Sequence, residues 1–166
     1  MRPFLAGNVF VTLNKKTLID LIGLLLIALV VVVGYKLSPM LLPHTDLSVA
    51  PDAACDLQQA PCRVALPGGG AIVADVSSRP IPLVRPFSFE LQVEGLAVDA
   101  VEVDFSGMDM SMGFNRPLLK ALGNGRFSAD VTLPVCVTGR MLWQATVLLD
   151  TARGRMGVPL RFTTGA

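Results

Sequence analysis

The sequence predicts an all-β domain, a two-sheet sandwich of about seven strands, preceded by one N-terminal transmembrane helix. The 166 residues are 52% hydrophobic and only 16% charged, which is too apolar for an ordinary soluble domain unless one segment lies in lipid. Beyond that segment, short runs rich in Val, Phe and Thr alternate apolar and polar residues. Gly, Pro and Asn separate these runs, as in antiparallel sheets.

The apolar excess lies in a run without a charge, LIGLLLIALVVVVGY at residues 21–35. With residues 17–20 it reaches about 20 residues, the length that a membrane span requires. The run is long for the apolar core of a cleaved signal peptide, and no A-x-A-like cleavage site follows it. We therefore predict an uncleaved transmembrane signal anchor at residues 17–37.

Charges on the two sides of the span predict its orientation. Basic residues precede it and acidic residues follow it: Arg2, Lys15 and Lys16, then Asp46, Asp52 and Asp56. The positive-inside rule then predicts a cytoplasmic segment at residues 1–16 and an exported C-terminal part. We expect a single-pass protein of the inner (cytoplasmic) membrane with its domain in the periplasm. Residues 38–54 are rich in proline and have no sustained period, which predicts a linker before the domain at residues 55–166.

The predicted strands are short and separated by turn residues. They cover residues 63–66, 72–76, 87–93, 98–105, 126–133, 142–149 and 157–163. Pro67–Gly70 is predicted to be a hairpin turn, and Gly123–Gly125 supplies positive-φ positions for a second turn. Because no amphipathic helix separates these strands, we expect an immunoglobulin-like β-sandwich with Trp143 in its core.

Three methionines at alternate positions are candidate metal ligands. Met108, Met110 and Met112 lie between glycines in the segment GMDMSMG. In extended backbone this spacing places three thioethers on one face, and thioether sulfur is a soft ligand that favours Cu(I). A thioether needs no deprotonation and forms no disulfide, so it suits an exported protein. Met141 is a candidate fourth ligand.

A packing role for the same methionines is the alternative. Met108, Met110 and Met112 would then form the inward face of a strand, with methionine filling gaps in the core. The flanking glycines, and the polar Asp109 and Ser111 between the sulfurs, favour an exposed loop instead. Both interpretations stay open from the sequence.

The three cysteines form a second group. Cys55 and Cys62 enclose a short loop, CDLQQAPC, and in an oxidising compartment we expect a disulfide between them. The spacing is not the C-x-x-C of a redox-active dithiol. Cys136 is left over. It is a buried small hydrophobe, a further soft ligand or a partner of either other cysteine, and we favour burial.

Composition and missing motifs argue against several function classes. The formal net charge is +1 and the basic residues are scattered, so we expect no nucleic-acid partner. The one histidine, His44, lies in the predicted linker, and the sequence has no G-x-S-x-G elbow and no phosphate-binding loop. We therefore expect neither an enzyme nor a small-molecule substrate.

The order of motifs resembles the YtkA-like and FixH-like family. The motifs are GMDMSMGFNRPLL at 107–119, the G-x-F-x-A strand at 125–129 and GRMLWQA at 139–145. The resemblance covers residues 80–162 and the N-terminal anchor. It implies a small protein with one span and an exported immunoglobulin-like domain.

The resemblance also implies a function. FixH-like proteins are associated with the assembly of a cbb3-type cytochrome oxidase and its copper supply, so a respiratory oxidase complex or its assembly factors are the expected partners. Met108, Met110 and Met112 match the family's methionine–glycine segment, and Trp143 matches its tryptophan. The chain departs from the pattern in its Cys55/Cys62 pair, in Cys136, which stands where relatives often have Met, and in the absence of a histidine from the methionine segment. The alternative hypothesis is a non-metal interaction module that docks onto a membrane complex through an edge strand or through Phe114–Arg116.

Overall fold

The computed structural model describes residues 14–41, 45–111, 113–135 and 139–165. The chain divides after Leu42 into a helical unit and a β unit. The helix α1 (Lys15–Leu41) is the element predicted as the anchor. Within it, Lys15–Leu37 is long and apolar enough to cross a membrane by length and composition.

The β unit contains two sheets in the part of the chain that the structure describes. Their strands are β1 (Leu47–Ser48), β2 (Cys62–Ala65), β3 (Ala71–Val76), β4 (Phe87–Glu94), β5 (Ala100–Gly107), β6 (Lys120–Gly123), β7 (Arg126–Val131), β8 (Met141–Thr151) and β9 (Gly154–Thr164). One sheet has the order β1-β9-β8-β5 and the other has the order β2-β3-β4-β7-β6. Neighbouring strands are antiparallel, except that β1 runs parallel to β9.

Every predicted strand corresponds to an observed one, with ends that differ by three residues or fewer. The structure adds β1 and β6. β6 is a four-residue strand that is exposed throughout, so it has no apolar alternation to reveal it. β1 lies in the predicted linker and is held by backbone hydrogen bonds to β9, from Asp46 N–H to the Arg155 carbonyl (2.8 Å) and from Val49 N–H to the Gly157 carbonyl (3.0 Å).

The inward faces of both sheets share one apolar core, an arrangement consistent with a β-sandwich. The alternation predicted for β4 is present, since Phe87, Phe89, Leu91 and Val93 are all buried. Phe89 of one sheet meets Phe105 of the other edge to face, with ring centroids 5.7 Å apart. Trp143 fills the core as predicted. Its Nε1–H donates to Thr164 Oγ1 at 2.9 Å, so the buried indole has a partner.

The predicted disulfide between Cys55 and Cys62 is present, with Cα atoms 5.3 Å apart. It closes a short loop between β1 and β2, and Cys62 is buried. In the chain-entropy model, a disulfide that closes a loop of this size stabilises the fold by about 2.5 kcal/mol. Cys136 lies outside the described residues.

A cluster of charged side chains joins the turn between β8 and β9 to the residues just before β1. Arg155 makes two hydrogen bonds to Asp150, from Nε to Oδ1 (2.6 Å) and from Nη2 to Oδ2 (2.8 Å). The Arg155 backbone N–H donates to Asp46 Oδ2 at 2.8 Å. The hydrogen bonds from Arg155 hold the pKa of the Asp150 carboxyl below its ordinary value. The residues just before β1 are therefore fixed at this end of the domain.

The contact between Phe89 and Phe105 across the two sheets predicts how much stability is lost when the Phe105 ring is removed. Replacing Phe105 with Ala removes a ring that is 1% exposed and should lower the free energy of unfolding by about 3–5 kcal/mol. Urea unfolding of the full chain in detergent micelles, followed by Trp143 fluorescence, measures this. The matched control is Leu122→Ala on the exposed β6, which should change stability by less than about 0.5 kcal/mol. Equal effects would contradict the assignment of Phe105 to the core.

The Asp150–Arg155 pair predicts a pH dependence. Because the folded-state pKa of Asp150 is lowered, its stabilisation is present above the unfolded-state value of about 3.9 and is lost as pH falls through the folded value. Since both side chains are partly exposed, the contribution is about 1 kcal/mol or less. Asp150→Asn should therefore be less stable than wild type near pH 7 and converge with it once the pH falls below the folded-state pKa of Asp150. A constant difference across this range in urea unfolding would contradict the pairing.

Candidate metal site

The candidate ligands lie at one end of the β unit, where β5 ends and β8 begins. Gly107, the last residue of β5, is paired with Trp143 near the start of β8. The opposite end of the same sheet holds the β8–β9 turn and β1. We call residues 108–114 the methionine loop; Met112 within it lies outside the described residues.

An irregular hairpin produces this loop. Beyond it the chain returns alongside β5 and accepts hydrogen bonds from it, from Phe105 N–H to the Asn115 carbonyl (2.9 Å) and from Val103 N–H to the Pro117 carbonyl (3.1 Å). Pro117 has no N–H to donate, so this return segment cannot form a regular ladder. It nevertheless covers the edge of β5 before the chain crosses to the other sheet as β6. The methionine loop is thus the tip of a hairpin on an edge strand.

Hydrogen bonds from described residues fix the loop to its neighbours. Met108 N–H donates to the Leu142 carbonyl at 2.9 Å, and Leu142 N–H donates to Asp109 Oδ2 at 3.2 Å. On the far side of the loop, Asn115 Nδ2 donates to the Thr132 carbonyl at 3.1 Å. The backbone around Met108 and Asp109 is therefore held by β8, and the base of the loop is held by the chain that follows β7.

The predicted ligands have two different environments. Met108 is 45% exposed and Met110 is 39% exposed, whereas Met141 is 1% exposed and belongs to the core. Strand alternation explains the difference. Met108 lies opposite Leu142, and Met141, one position away on β8, points to the other face. The structure thus brings Met108 and Met110 to the surface of one loop and places Met141 in the interior.

The exposed aromatic side chain of Phe114 follows the methionines and lies against Arg116. Phe114 is 64% exposed, and the Arg116 guanidinium carbon lies 4.8 Å from its ring centroid. Arg116 Nε also donates to Asp104 Oδ1 at 3.2 Å, and both of these side chains are largely buried. Sequence analysis identified the Phe114–Arg116 segment but missed Asp104, which lies on the polar face of β5 and carries no motif of its own.

Other common metal ligands do not converge. Across residues 14–41, 45–111, 113–135 and 139–165, no group of three or more His, Cys, Asp or Glu side chains is placed to hold a metal ion. The carboxylate nearest to the methionines in sequence, Asp109, accepts a backbone hydrogen bond. Among the described residues at this end of the domain, the thioethers of Met108 and Met110 are the soft donors exposed to solvent.

No family model, curated protein or solved structure matches the chain. The resemblance to the YtkA-like and FixH-like family stays a hypothesis carried by short motifs.

The hydrogen bond from Leu142 N–H to the Asp109 carboxylate predicts a local loss of stability when that carboxylate is removed. Asp109→Ala should cost about 1 kcal/mol of local stability, which makes the Leu142 amide exchange roughly fivefold faster. Hydrogen exchange followed by NMR on the full chain in micelles measures this. Asp109→Asn is the matched control, because its amide oxygen can still accept the hydrogen bond, and it should stay near the wild-type rate. Unchanged exchange in the Ala variant would show that Asp109 does not hold the loop.

Proposed function

We propose that this protein is an inner-membrane protein with one span whose immunoglobulin-like domain lies in the periplasm. The domain carries Cu(I) on Met108, Met110 and Met112 and assists copper delivery to, or assembly of, a respiratory oxidase. The observation that supports this most is the exposure of Met108 and Met110 in a loop whose backbone is held by β8. Core methionines would be inaccessible to a metal donor or acceptor.

The chemistry of thioethers fits transient carriage of copper. Cu(I) prefers soft ligands, and two or three thioethers supply them without adding negative charge. Because no ligand proton is released, binding should depend little on pH. A partner that offers thiolate or imidazole ligands can then take the ion from an exposed loop. These properties favour delivery over permanent storage.

The remaining features support an exported domain. The chain has a helix apolar and long enough to span a membrane, and basic residues precede that run while acidic residues follow it. The Cys55–Cys62 disulfide is typical of an oxidising compartment. The two sheets around one core are the layers that an immunoglobulin-like sandwich requires.

Docking onto a membrane complex is the second candidate function. Phe114 favours it, because a large exposed ring beside a nearly buried Arg116–Asp104 pair is already held in place before any partner binds. Interface anchors are often aromatic, and ordering them in advance reduces the entropy lost on binding. In this account the methionine loop contributes apolar contact area rather than ligands.

A competition titration tests the copper proposal. The full chain in detergent micelles is titrated against a chromogenic Cu(I) chelator, beside the Met108→Leu/Met110→Leu/Met112→Leu variant. Leu has nearly the volume of Met, so the variant should fold with wild-type stability. We expect wild type to withdraw Cu(I) and the triple variant to bind at least about tenfold more weakly.

Met156→Leu is the matched control for this titration, because Met156 is 4% exposed and should not contribute to binding. Phe114→Ala separates the two candidate functions, since it should leave Cu(I) affinity unchanged and reduce crosslinking to membrane partners. If wild type takes no Cu(I) even from a weak chelator, the copper proposal fails. Loss of crosslinking in Phe114→Ala would then favour the docking function.

A further inference from the structure

The described methionines of the β unit fall into two accessibility classes. Met108 and Met110 are 45% and 39% exposed, whereas Met141 and Met156 are 1% and 4% exposed. Thioether oxidation requires contact between the sulfur and the oxidant, so accessibility sets its rate. The two classes should therefore differ in reactivity within one folded chain.

We propose that Met108 and Met110 form a reversible oxidation site that turns off the methionine loop as a soft-metal ligand. The oxidant class is hydroperoxide, with hydrogen peroxide as the simplest member. The thioether sulfur attacks one peroxide oxygen, an S–O bond forms, and the O–O bond breaks. The sulfur loses two electrons to the peroxide, and the departing hydroxide takes the proton of the transferred oxygen and leaves as water. The product is methionine sulfoxide.

The structure explains why this oxidation leaves the fold intact. The hydrogen bonds that hold the loop to β8 include one from Met108 N–H to the Leu142 carbonyl and one from Leu142 N–H to the Asp109 carboxylate, and neither uses a thioether. The exposed thioethers supply little of the core, so an added oxygen on either of them can be solvated. In contrast, a sulfoxide at Met141 would bury a polar group beside Trp143 and disrupt the core.

Oxidation changes the donor that the loop offers. A sulfoxide presents a hard oxygen and a larger group where a soft sulfur was, and Cu(I) binds oxygen donors weakly. This step rests on the proposed function of the loop. The change is reversible, because methionine sulfoxide reductases return the sulfoxide to the thioether. In that reaction two thiols become a disulfide and the sulfoxide oxygen leaves as water.

Peptide mapping tests the site without any metal. The full chain in micelles is exposed to graded hydrogen peroxide, and sulfoxide at each methionine is measured by tandem mass spectrometry. Met108 and Met110 should be oxidised at least about tenfold faster than Met141 and Met156, because only the former are accessible. The same chain in urea is the control, and there the four rates should converge. Equal rates in the folded chain would overturn the site.

A second measurement tests the consequence for copper. The oxidised chain should keep its Trp143 fluorescence and lose Cu(I) affinity by at least about tenfold, and a sulfoxide reductase should restore it. Unchanged affinity after oxidation would overturn the switch. If the untreated chain binds no Cu(I), the switch also fails because the proposed function has failed. Selective oxidation in the mapping experiment would then still establish the modification site.

Discussion

Backbone pairing between the end of β5 and the start of β8 determines where the chain presents its thioethers. The ladder from Ala100 to Gly107 fixes the register, and the bond between Met108 N–H and the Leu142 carbonyl extends it by one residue. Asp109 then accepts from Leu142 N–H, so the chain turns away from the sheet at a defined position. A shift of one residue would exchange the inward and outward faces of β8 and bring Met141 to the surface.

The pairing of β5 with β8 also determines which side chains are buried and which are exposed. Inward positions of β5 and β8 hold Val101, Phe105, Met141 and Trp143, which build the core between the two sheets. Residues 108–111, just beyond Gly107, leave that core and are exposed. Methionine therefore has two environments in one small domain, since Met141 is buried in the core whereas Met108 and Met110 are accessible to solvent. The disulfide and the Asp46–Arg155 contact hold other parts of the domain.

Much of the fold was predictable because its signals are local. Period-2 alternation identified β4, and glycine-rich segments located the β2–β3 hairpin and the turn before β7, although not β6 itself. β1 gave no such signal, since two residues paired by backbone hydrogen bonds carry no side-chain pattern. For the site, spacing indicated that Met108 and Met110 share one segment, but their exposure depends on the long-range pairing with Leu142. The burial of Met141 and the support of Phe114 by Asp104 and Arg116 depend likewise on contacts between distant residues.

The central claim is that the thioethers of the methionine loop, and not the core methionines, bind Cu(I). NMR of the full chain in micelles, labelled with ¹³C at the methionine methyl groups and titrated with Cu(I) under reducing conditions, tests this most directly. The account predicts that the methyl signals of Met108, Met110 and Met112 shift together and saturate at one equivalent, while those of Met141 and Met156 stay in place. No shift in the loop signals, or equal shifts in all five, would contradict it.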